Sequence, residues 1–297
     1  MLRTGPSVQR IMSITIRPIT TAVEAEHFQE IERRVWLAPE LDVMPTHVLI
    51  TVALNGGGVI GAYADDGPPD LNGLVGVALW WLGVGRHPVT GQEQVKACSH
   101  MAGVLPAWQG QRVGLRLKSA QREMILTQSE TDWVTWTYDP LYRANGVFNI
   151  RRLGATCNTY KRDIYGAMQD ALNRGVPSDR CQVDWLLNSP HVLRDMDSHR
   201  RRSDWHPDDL HVLPSTARDD GLDAPVDVTP PLDGTPVAVP LPDNIATIRA
   251  RDAELSMAWR LYQRTVLEAA FGAGYAMVDC VQLPARGWHY VLVREYV

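Results

Sequence analysis

The sequence has few cysteines, and none of them stands at a metal-binding spacing. Cys98, Cys157, Cys181 and Cys280 are scattered, and no two of them form a C-x-x-C pair. A zinc site or a dense disulfide framework therefore finds no support, and we expect no bound metal. A reducing cytoplasm is the simplest interpretation of this cysteine usage.

Long apolar runs are also missing. The longest extends roughly from Leu74 to Gly85, about half of the ~20 residues that a membrane-spanning helix needs. Residues 1–12 precede no apolar segment, so they are predicted to be a disordered start and not a signal peptide. No membrane partner is expected.

An excess of basic residues is absent as well. The 297 residues carry a formal net charge of −5, which argues against a protein whose main partner is nucleic acid. The length allows one large domain or two ordinary ones. The apolar fraction of 45% and the charged fraction of 21% are those of a soluble globular protein.

The hydrophobic periodicity predicts a mixed α+β protein. A strand at Ile14–Thr20 precedes a helix that ends near Trp36, and a β-hairpin is predicted around a turn at Asn55–Gly58. Two further strands follow, and the second ends at Pro106. The next helix leads to a strand at Asp132–Tyr138, and this crossover predicts a locally parallel pair of strands.

The last third of the chain changes character. Residues 191–243 are rich in charge and proline, with eight prolines in 207–242, and are predicted to be a linker or an extended arm. Residues 244–297 predict a helix and two strands. This αββ segment cannot bury its apolar face alone, so it either extends the main sheet or pairs with another chain. A homodimer is therefore expected.

The stretch "VLPAWQGQRVGLRLK" predicts a strand, a glycine-bearing turn and a helix. The first N–H groups of a helix lack internal partners and attract anions, and Gly110 and Gly114 leave the backbone open. The spacing fits neither G-x-G-x-x-G nor G-x-x-x-x-G-K-[ST]. On spacing alone, a phosphate-binding turn and a plain helix start both remain open.

The same stretch resembles motif A of the GNAT superfamily of acyl-CoA-dependent N-acyltransferases, Q/R-x-x-G-x-G/A. Gln109, Arg112 and Gly114 take its first, fourth and sixth places, with Arg112 where the family has a glycine. Together with "LNGGGVIGAY" and "WTYDPLYRANGVFNIRRLGA", the likeness covers nearly the whole chain, including the C-terminal extension. It implies a GNAT domain over residues 13–190, a mixed sheet with splayed central parallel strands, and an αββ extension.

The resemblance also implies a function and a set of site residues. Acetyl-CoA or another acyl-CoA would bind between the fourth and fifth strands, and its acyl group would pass to the amine of a small molecule such as an amino acid. The alternative is a degenerate domain that binds acyl-CoA without turnover. The expected cofactor-binding residues are Met101, Gly103, Val104, Gln109, Gly110, Gln111, Arg112, Val113, Gly114, Leu115, Arg116, Asn145 and Asn149.

His100 and Tyr138 are the candidate catalytic residues. An imidazole titrates in the range needed for a base, while a histidine satisfied within the sheet is the alternative. Tyr138 could protonate the departing thiolate or simply pack. Ile150 stands at the usual tyrosine of the family, so a general acid is not assigned from the motif. The acceptor is expected to bind at the first helix and the loop after it, in "WLAPELDVMPTHVL".

Overall fold

The computed structural model describes residues 13–168, 175–197 and 205–294. The chain divides into two compact units, one of Met1–Trp81 with His100–Met124 and one of Leu82–Ser99 with Ile125–Val297. The strands, in chain order, are β1 (Ile14–Pro18), β2 (Gly58–Ala64), β3 (Leu74–Arg86), β4 (Glu93–Val104), β5 (Trp133–Tyr138), β6 (Thr156–Lys161), β7 (Arg180–Leu186), β8 (His211–Val212), β9 (Ser215–Ala217), β10 (Asp223–Pro225), β11 (Val237–Pro240), β12 (Tyr275–Leu283) and β13 (Gly287–Arg294).

The helices alternate with these strands, as the periodicity predicts. They are α1 (Ala22–Trp36), α2 (Thr46–Leu54), α3 (Val113–Gln128), α4 (Arg143–Gly146), α5 (Pro190–Met196), α6 (Ile245–Arg251) and α7 (Ala253–Gly272). A π-helical turn, Val147–Arg152, continues α4 directly. The predicted α+β class is confirmed by this content.

In the first unit, β1 pairs antiparallel with β2, and β2 pairs antiparallel with β3. Helix α1 starts at Thr21, whose side chain forms a reciprocal capping box with Glu24, so two N–H groups at the helix start are satisfied. The buried face of α1 includes Ala25, Phe28 and Ile31, at the spacing of an amphipathic helix.

The predicted hairpin around Asn55–Gly58 is wrong. Thr46–Leu54 forms helix α2, which begins after Pro45 and is followed by Gly56 at a φ of 81°. The segment "THVLITVAL" is apolar almost throughout, and such a run does not distinguish strand from helix by period. The glycines after it serve as a helix stop, because a left-handed residue just past a helix end satisfies its last carbonyls.

In the second unit, β4 and β5 pair in parallel at Ala97–Val134 and Cys98–Thr135. The predicted parallel pair across the crossover helix is therefore confirmed. Strand β5 continues antiparallel to β7, and β7 antiparallel to β6. Strand β12 then pairs with β6 at Met277–Cys157 and with β13 along most of its length.

The proline-rich segment contributes strands to the second unit. Strand β11 pairs with β13, and the side chains of Val237, Ala238 and Val239 are fully buried. Leu210 and Val281 belong to one apolar cluster there. Proline lacks a backbone N–H. At the end of a strand this does not disrupt the pairing, because no further hydrogen bond between the strands is needed there.

Buried ion pairs attach α7 to the strands of the second unit. Arg260 donates two hydrogen bonds to the carboxylate of Asp139, at 2.6 and 3.0 Å, and Arg264 donates two to Asp179, at 2.8 and 2.9 Å. Asp139 and Asp179 are almost fully buried. Buried carboxylates require such partners, because an unpaired charge is costly to remove from water.

Candidate acyl-CoA site

The motif A turn lies between the end of β4 and the start of α3, within the first unit. Leu105 N–H donates to the carbonyl of Val75 at 2.9 Å, and a short 3₁₀ turn follows at Pro106–Trp108. The side-chain amide of Gln109 donates back to the Val104 carbonyl at 3.0 Å. Gln111 does the same to Ala107 at 2.9 Å. The turn is thus held by its own amide side chains.

Two residues of this turn have left-handed backbones. Gly110 has a φ of 76°, and Arg112 has a φ of 63°. A left-handed backbone conformation carries no steric cost for glycine, whereas it is strained for residues that have a Cβ. Arg112 therefore keeps the conformation expected for the glycine it replaces, and its side chain is exposed. A Cβ added at Gly110 would meet no atom within 4 Å, so this side of the turn is open.

Helix α3 begins directly after Arg112 and presents its N-terminus to the turn. The early N–H groups, such as those of Gly114 and Leu115, have no partner within a helix and carry the positive end of its dipole. Arg116 uses one guanidinium nitrogen to donate to the Ile14 carbonyl at 2.6 Å. The turn and helix start together can bind an anionic group through backbone N–H groups.

Strand β4 leads into this turn and carries the predicted acyl contacts. Gly103 is buried, and a Cβ added there would lie 2.5 Å from the Trp36 indole at the end of α1. A Cβ on Gly76 would come within 2.9 Å of the Gly103 carbonyl. Gly103 therefore permits a close approach of β4 to its neighbours, while Met101 and Val104 are half-buried beside it.

His100 also lies on β4 and is exposed, with its ring 4.8 Å from that of Trp81. Surrounding atoms nevertheless shield the imidazole partly from water, and this desolvation lowers the pKa of His100 below its ordinary value. The imidazole is therefore neutral at neutral pH and can accept a proton there.

Sequence reasoning missed Glu32, which is 1% exposed on α1. Both of its carboxyl oxygens lie 3.3 Å from the Met44 N–H, in the loop predicted to receive the acceptor. Burial raises the pKa of Glu32 to about 7. Its burial could have been predicted from the sequence, because Glu32 follows Phe28 by four residues and so lies on the same, buried face of α1.

Tyr138, at the end of β5 in the second unit, is buried. Its hydroxyl donates to the sulfur of Met277 at 3.3 Å, and burial raises its pKa well above the ordinary value. A phenol in this state holds its proton firmly and already has an acceptor. The placement favours the packing role that the sequence left open.

Asn145 and Asn149 lie in different environments of the second unit. Asn145 is exposed on α4, whereas Asn149 is buried and its side-chain oxygen accepts from the Trp136 indole at 3.2 Å. The amide oxygen of Asn149 is therefore already occupied, and of the two side chains only that of Asn145 is exposed to solvent.

The order of elements is now complete enough to identify the fold. A strand and helices precede three further strands, the third strand runs through the motif A turn into α3, and α3 crosses over to a parallel β5. A helix and two antiparallel strands follow. This is the order implied by the resemblance. The chain has the GNAT fold.

Solved structures with the GNAT fold are similar to this chain. NAA60 of Arabidopsis thaliana, in complex with a bisubstrate analogue, is 13% identical over 59% of this chain and 100% of its own, with a TM-score of 0.47. The ribosomal-protein-S18-alanine N-acetyltransferase of Escherichia coli is 13% identical over 60% and 96%, with a TM-score of 0.44. YncA of Salmonella typhimurium, with acetyl-CoA, is 17% identical over 59% and 95%, with a TM-score of 0.44.

These similarities assign no substrate and no site residue to the chain, because identity and TM-score are both low. No protein-family model and no curated protein matches the sequence. Within the described residues, no cluster of three or more His, Cys, Asp or Glu side chains could hold a metal ion. In the described part of the chain, no helix is both long and apolar enough to cross a membrane.

Proposed function

We propose that the chain is an acyl-CoA-dependent N-acyltransferase that passes an acetyl or larger acyl group, such as succinyl, to the amine of a small molecule. The observation that carries this proposal is the motif A turn, where Gly110 and Arg112 are both left-handed at the N-terminus of α3. That conformation supports binding of the coenzyme A pyrophosphate by backbone N–H groups.

The proposed chemistry is direct transfer. The acceptor nitrogen attacks the thioester carbonyl carbon, and the carbonyl oxygen becomes an oxyanion. The C–S bond then breaks to release coenzyme A as a thiolate, and the nitrogen gives its second proton to water as the amide forms. Backbone N–H groups among Met101, Gly103 and Val104 are the proposed donors to the oxyanion. The ammonium proton must leave before attack, because an alkylamine has a pKa near ~10.

His100 is the proposed base for this proton, directly or through a water molecule. Its lowered pKa supports the role, since a neutral imidazole is ready to accept. A dedicated acid is less necessary, because the pKa of a thiol is about 8.5 and a thiolate is an acceptable leaving group. The Tyr138 hydroxyl is buried and already hydrogen-bonded to Met277, and the proposed acyl transfer does not use Tyr138 as an acid.

The acceptor is proposed to bind at the loop between α1 and α2. Glu32 and Gln29 hold Met44 of this loop by its N–H and its carbonyl, the latter at 2.9 Å. Arg33 adds two bonds to Glu40 at 2.8 and 2.9 Å. We therefore propose a cytoplasmic enzyme that acts on the amine of a small molecule, such as an amino acid.

A degenerate GNAT domain that binds acyl-CoA without turnover is the second candidate. Arg112 in place of glycine and Ile150 in place of the usual tyrosine favour it.

A homodimer also stays a prediction, although β12 pairs with β6 of the same chain. That pairing removes the argument that the αββ segment needs a second copy.

One experiment separates the two functions. Thiol release is measured with acetyl-CoA and succinyl-CoA against a panel of amines, while calorimetry measures CoA affinity of the natural chain and of Gly114→Trp. Turnover together with loss of binding in Gly114→Trp supports the enzyme, and binding without turnover supports the degenerate domain. Ser119→Trp, exposed on the same helix, is the matched control. Unchanged CoA affinity in Gly114→Trp would exclude the motif A turn as the pyrophosphate site.

A further inference from the structure

A cavity lies in the second unit, and none of its lining residues belongs to the set assigned to acyl transfer. Its volume is about 440 Å³, and its walls come from the β8–β9 region, the segment after β11 and the turn between β12 and β13. Small-molecule sites usually have volumes of ~300–1,000 Å³. The cavity is therefore large enough for a metabolite.

The walls of this cavity are fixed by hydrogen bonds. The Trp259 indole donates to the Asp223 carbonyl at 2.8 Å, and Leu241 N–H donates to the Trp288 carbonyl at 2.8 Å. Arg143 stacks on the Trp288 ring and pairs with Asp243, which also lines the cavity. These contacts hold both Asp223 and Trp288 in place at the cavity surface.

Two opposite charges line the cavity without neutralising each other. Asp223 and Arg286 both border it, and in the described part of the chain neither side chain forms an ion pair. Burial lowers the pKa of His289, another lining residue, so its imidazole adds no charge at neutral pH. The carboxylate of Asp243 is already paired with Arg143. The cavity thus offers one unpaired carboxylate, that of Asp223, together with the guanidinium of Arg286 and an apolar wall of Leu241 and Trp288.

We propose that this cavity binds a small zwitterion of the α-amino acid class. Arg286 receives the carboxylate, for which a guanidinium has matching geometry. Asp223 receives the ammonium, and the side chain of the ligand lies against Trp288 and Leu241. A ligand that carries only one charge leaves one of the two protein charges unpaired, so both charges are required for recognition.

Calorimetry on the full chain, without acyl-CoA, tests this proposal. The probes are the common L-amino acids, followed by the N-acetyl derivative and the amide of the tightest binder. We expect each derivative to bind at least about tenfold more weakly, because each lacks one charge. Asp223→Asn and Arg286→Gln should weaken binding by a similar factor. Arg294→Gln, an exposed change on β13, should leave it unchanged.

Three results would overturn the proposal: no binding of any amino acid, equal binding of a derivative, or retention of binding in both variants. If Gly114→Trp abolishes binding while Asp223→Asn keeps it, the ligand occupies the acyl-transfer site and not this cavity. Thermal unfolding checks that Asp223→Asn and Arg286→Gln are folded. Absence of acyl transfer would leave this test unaffected, because no step in it uses acyl-CoA.

Discussion

Arg112 combines a cation with a backbone conformation that favours glycine. Its φ of 63° costs a residue with a Cβ about 1–2 kcal/mol, while a glycine costs about 0.5–1 kcal/mol more entropy on folding. Arg112→Gly should therefore raise the free energy of unfolding by about 0.5–1 kcal/mol, measured by urea denaturation. Arg112→Ala keeps the Cβ and should give no gain. Arg116→Gly, within α3, should lose about 1 kcal/mol. A loss of stability in Arg112→Gly would contradict the strain argument.

Glu32 makes stability depend on pH in a direction opposite to most carboxylates. Its pKa is about 7 in the folded chain against an ordinary value of 4.5, so between these pH values the folded state binds more protons than the unfolded state. Stability contributed by protonated Glu32 is therefore present at pH 4.5 and lost as pH rises through 7. Glu32→Gln should stabilise the protein at pH 8, by about 3 kcal/mol at most, and have little effect at pH 4.5.

The control for Glu32 is Glu26→Gln, an exposed change on the same helix. Chemical denaturation at pH 4.5 and pH 8 measures both variants. Glutamine keeps an oxygen that can accept a hydrogen bond from the Met44 N–H. The change in stability in Glu32→Gln therefore reports the charge of the carboxyl group and not the loss of this hydrogen bond. An equal effect of Glu32→Gln at the two pH values would show that the carboxyl does not titrate in this range.

At the scale of elements, α7 is attached to its unit by an ion pair between Arg260 and Asp139, both of which are buried. Removing one partner of a buried pair costs about 3–5 kcal/mol, because the other charge stays buried. Arg260→Met should therefore destabilise the protein by that amount, and Arg260→Met combined with Asp139→Leu should recover a large part of it. Arg162→Gln breaks the exposed pair with Glu268 of the same helix and should cost at most about 1 kcal/mol. Urea denaturation measures all three, and equal costs of Arg260→Met and Arg162→Gln would contradict the assignment.

Elements with a clear period could be predicted from the sequence, and those without one could not. Helix α1, helix α3 and the parallel pair of β4 with β5 follow from apolar spacing and from the crossover rule. Helix α2 could not be predicted, because its nearly uniform apolar run has no period. The π-helical turn at Val147 has no sequence signal that separates it from an α-helix.

The same contrast holds for the candidate site. The motif A turn could be located from Gln109, Gly110 and Gly114, since local spacing determines a turn. The buried carboxyl of Glu32 and the charge arrangement of Asp223 with Arg286 depend on residues far apart in the chain, which spacing does not bring together. The left-handed φ of Arg112 is also invisible in the sequence, because arginine rarely adopts it.

At the scale of the whole chain, the C-terminal residues complete the second unit. Strand β12 covers the edge of β6, and α7 supplies the guanidinium groups that pair with Asp139 and Asp179. A chain of residues 13–190, the predicted GNAT domain, lacks these partners. It would leave a strand edge open to association and would remove the guanidinium groups that donate two hydrogen bonds each to two buried carboxylates.

We therefore expect residues 13–190 alone to be insoluble or aggregated, while the full chain is soluble and unfolds cooperatively. Size-exclusion chromatography with light scattering measures association, and near-ultraviolet circular dichroism measures tertiary packing. The comparison chain is residues 13–297, which keeps α7, β12 and β13 and should behave like the full chain. A monomeric, cooperatively unfolding 13–190 chain would show that the C-terminal segment is an addition to a domain that is stable without it. The same light-scattering measurement on the full chain gives its oligomeric state, and a monomer would refute the homodimer.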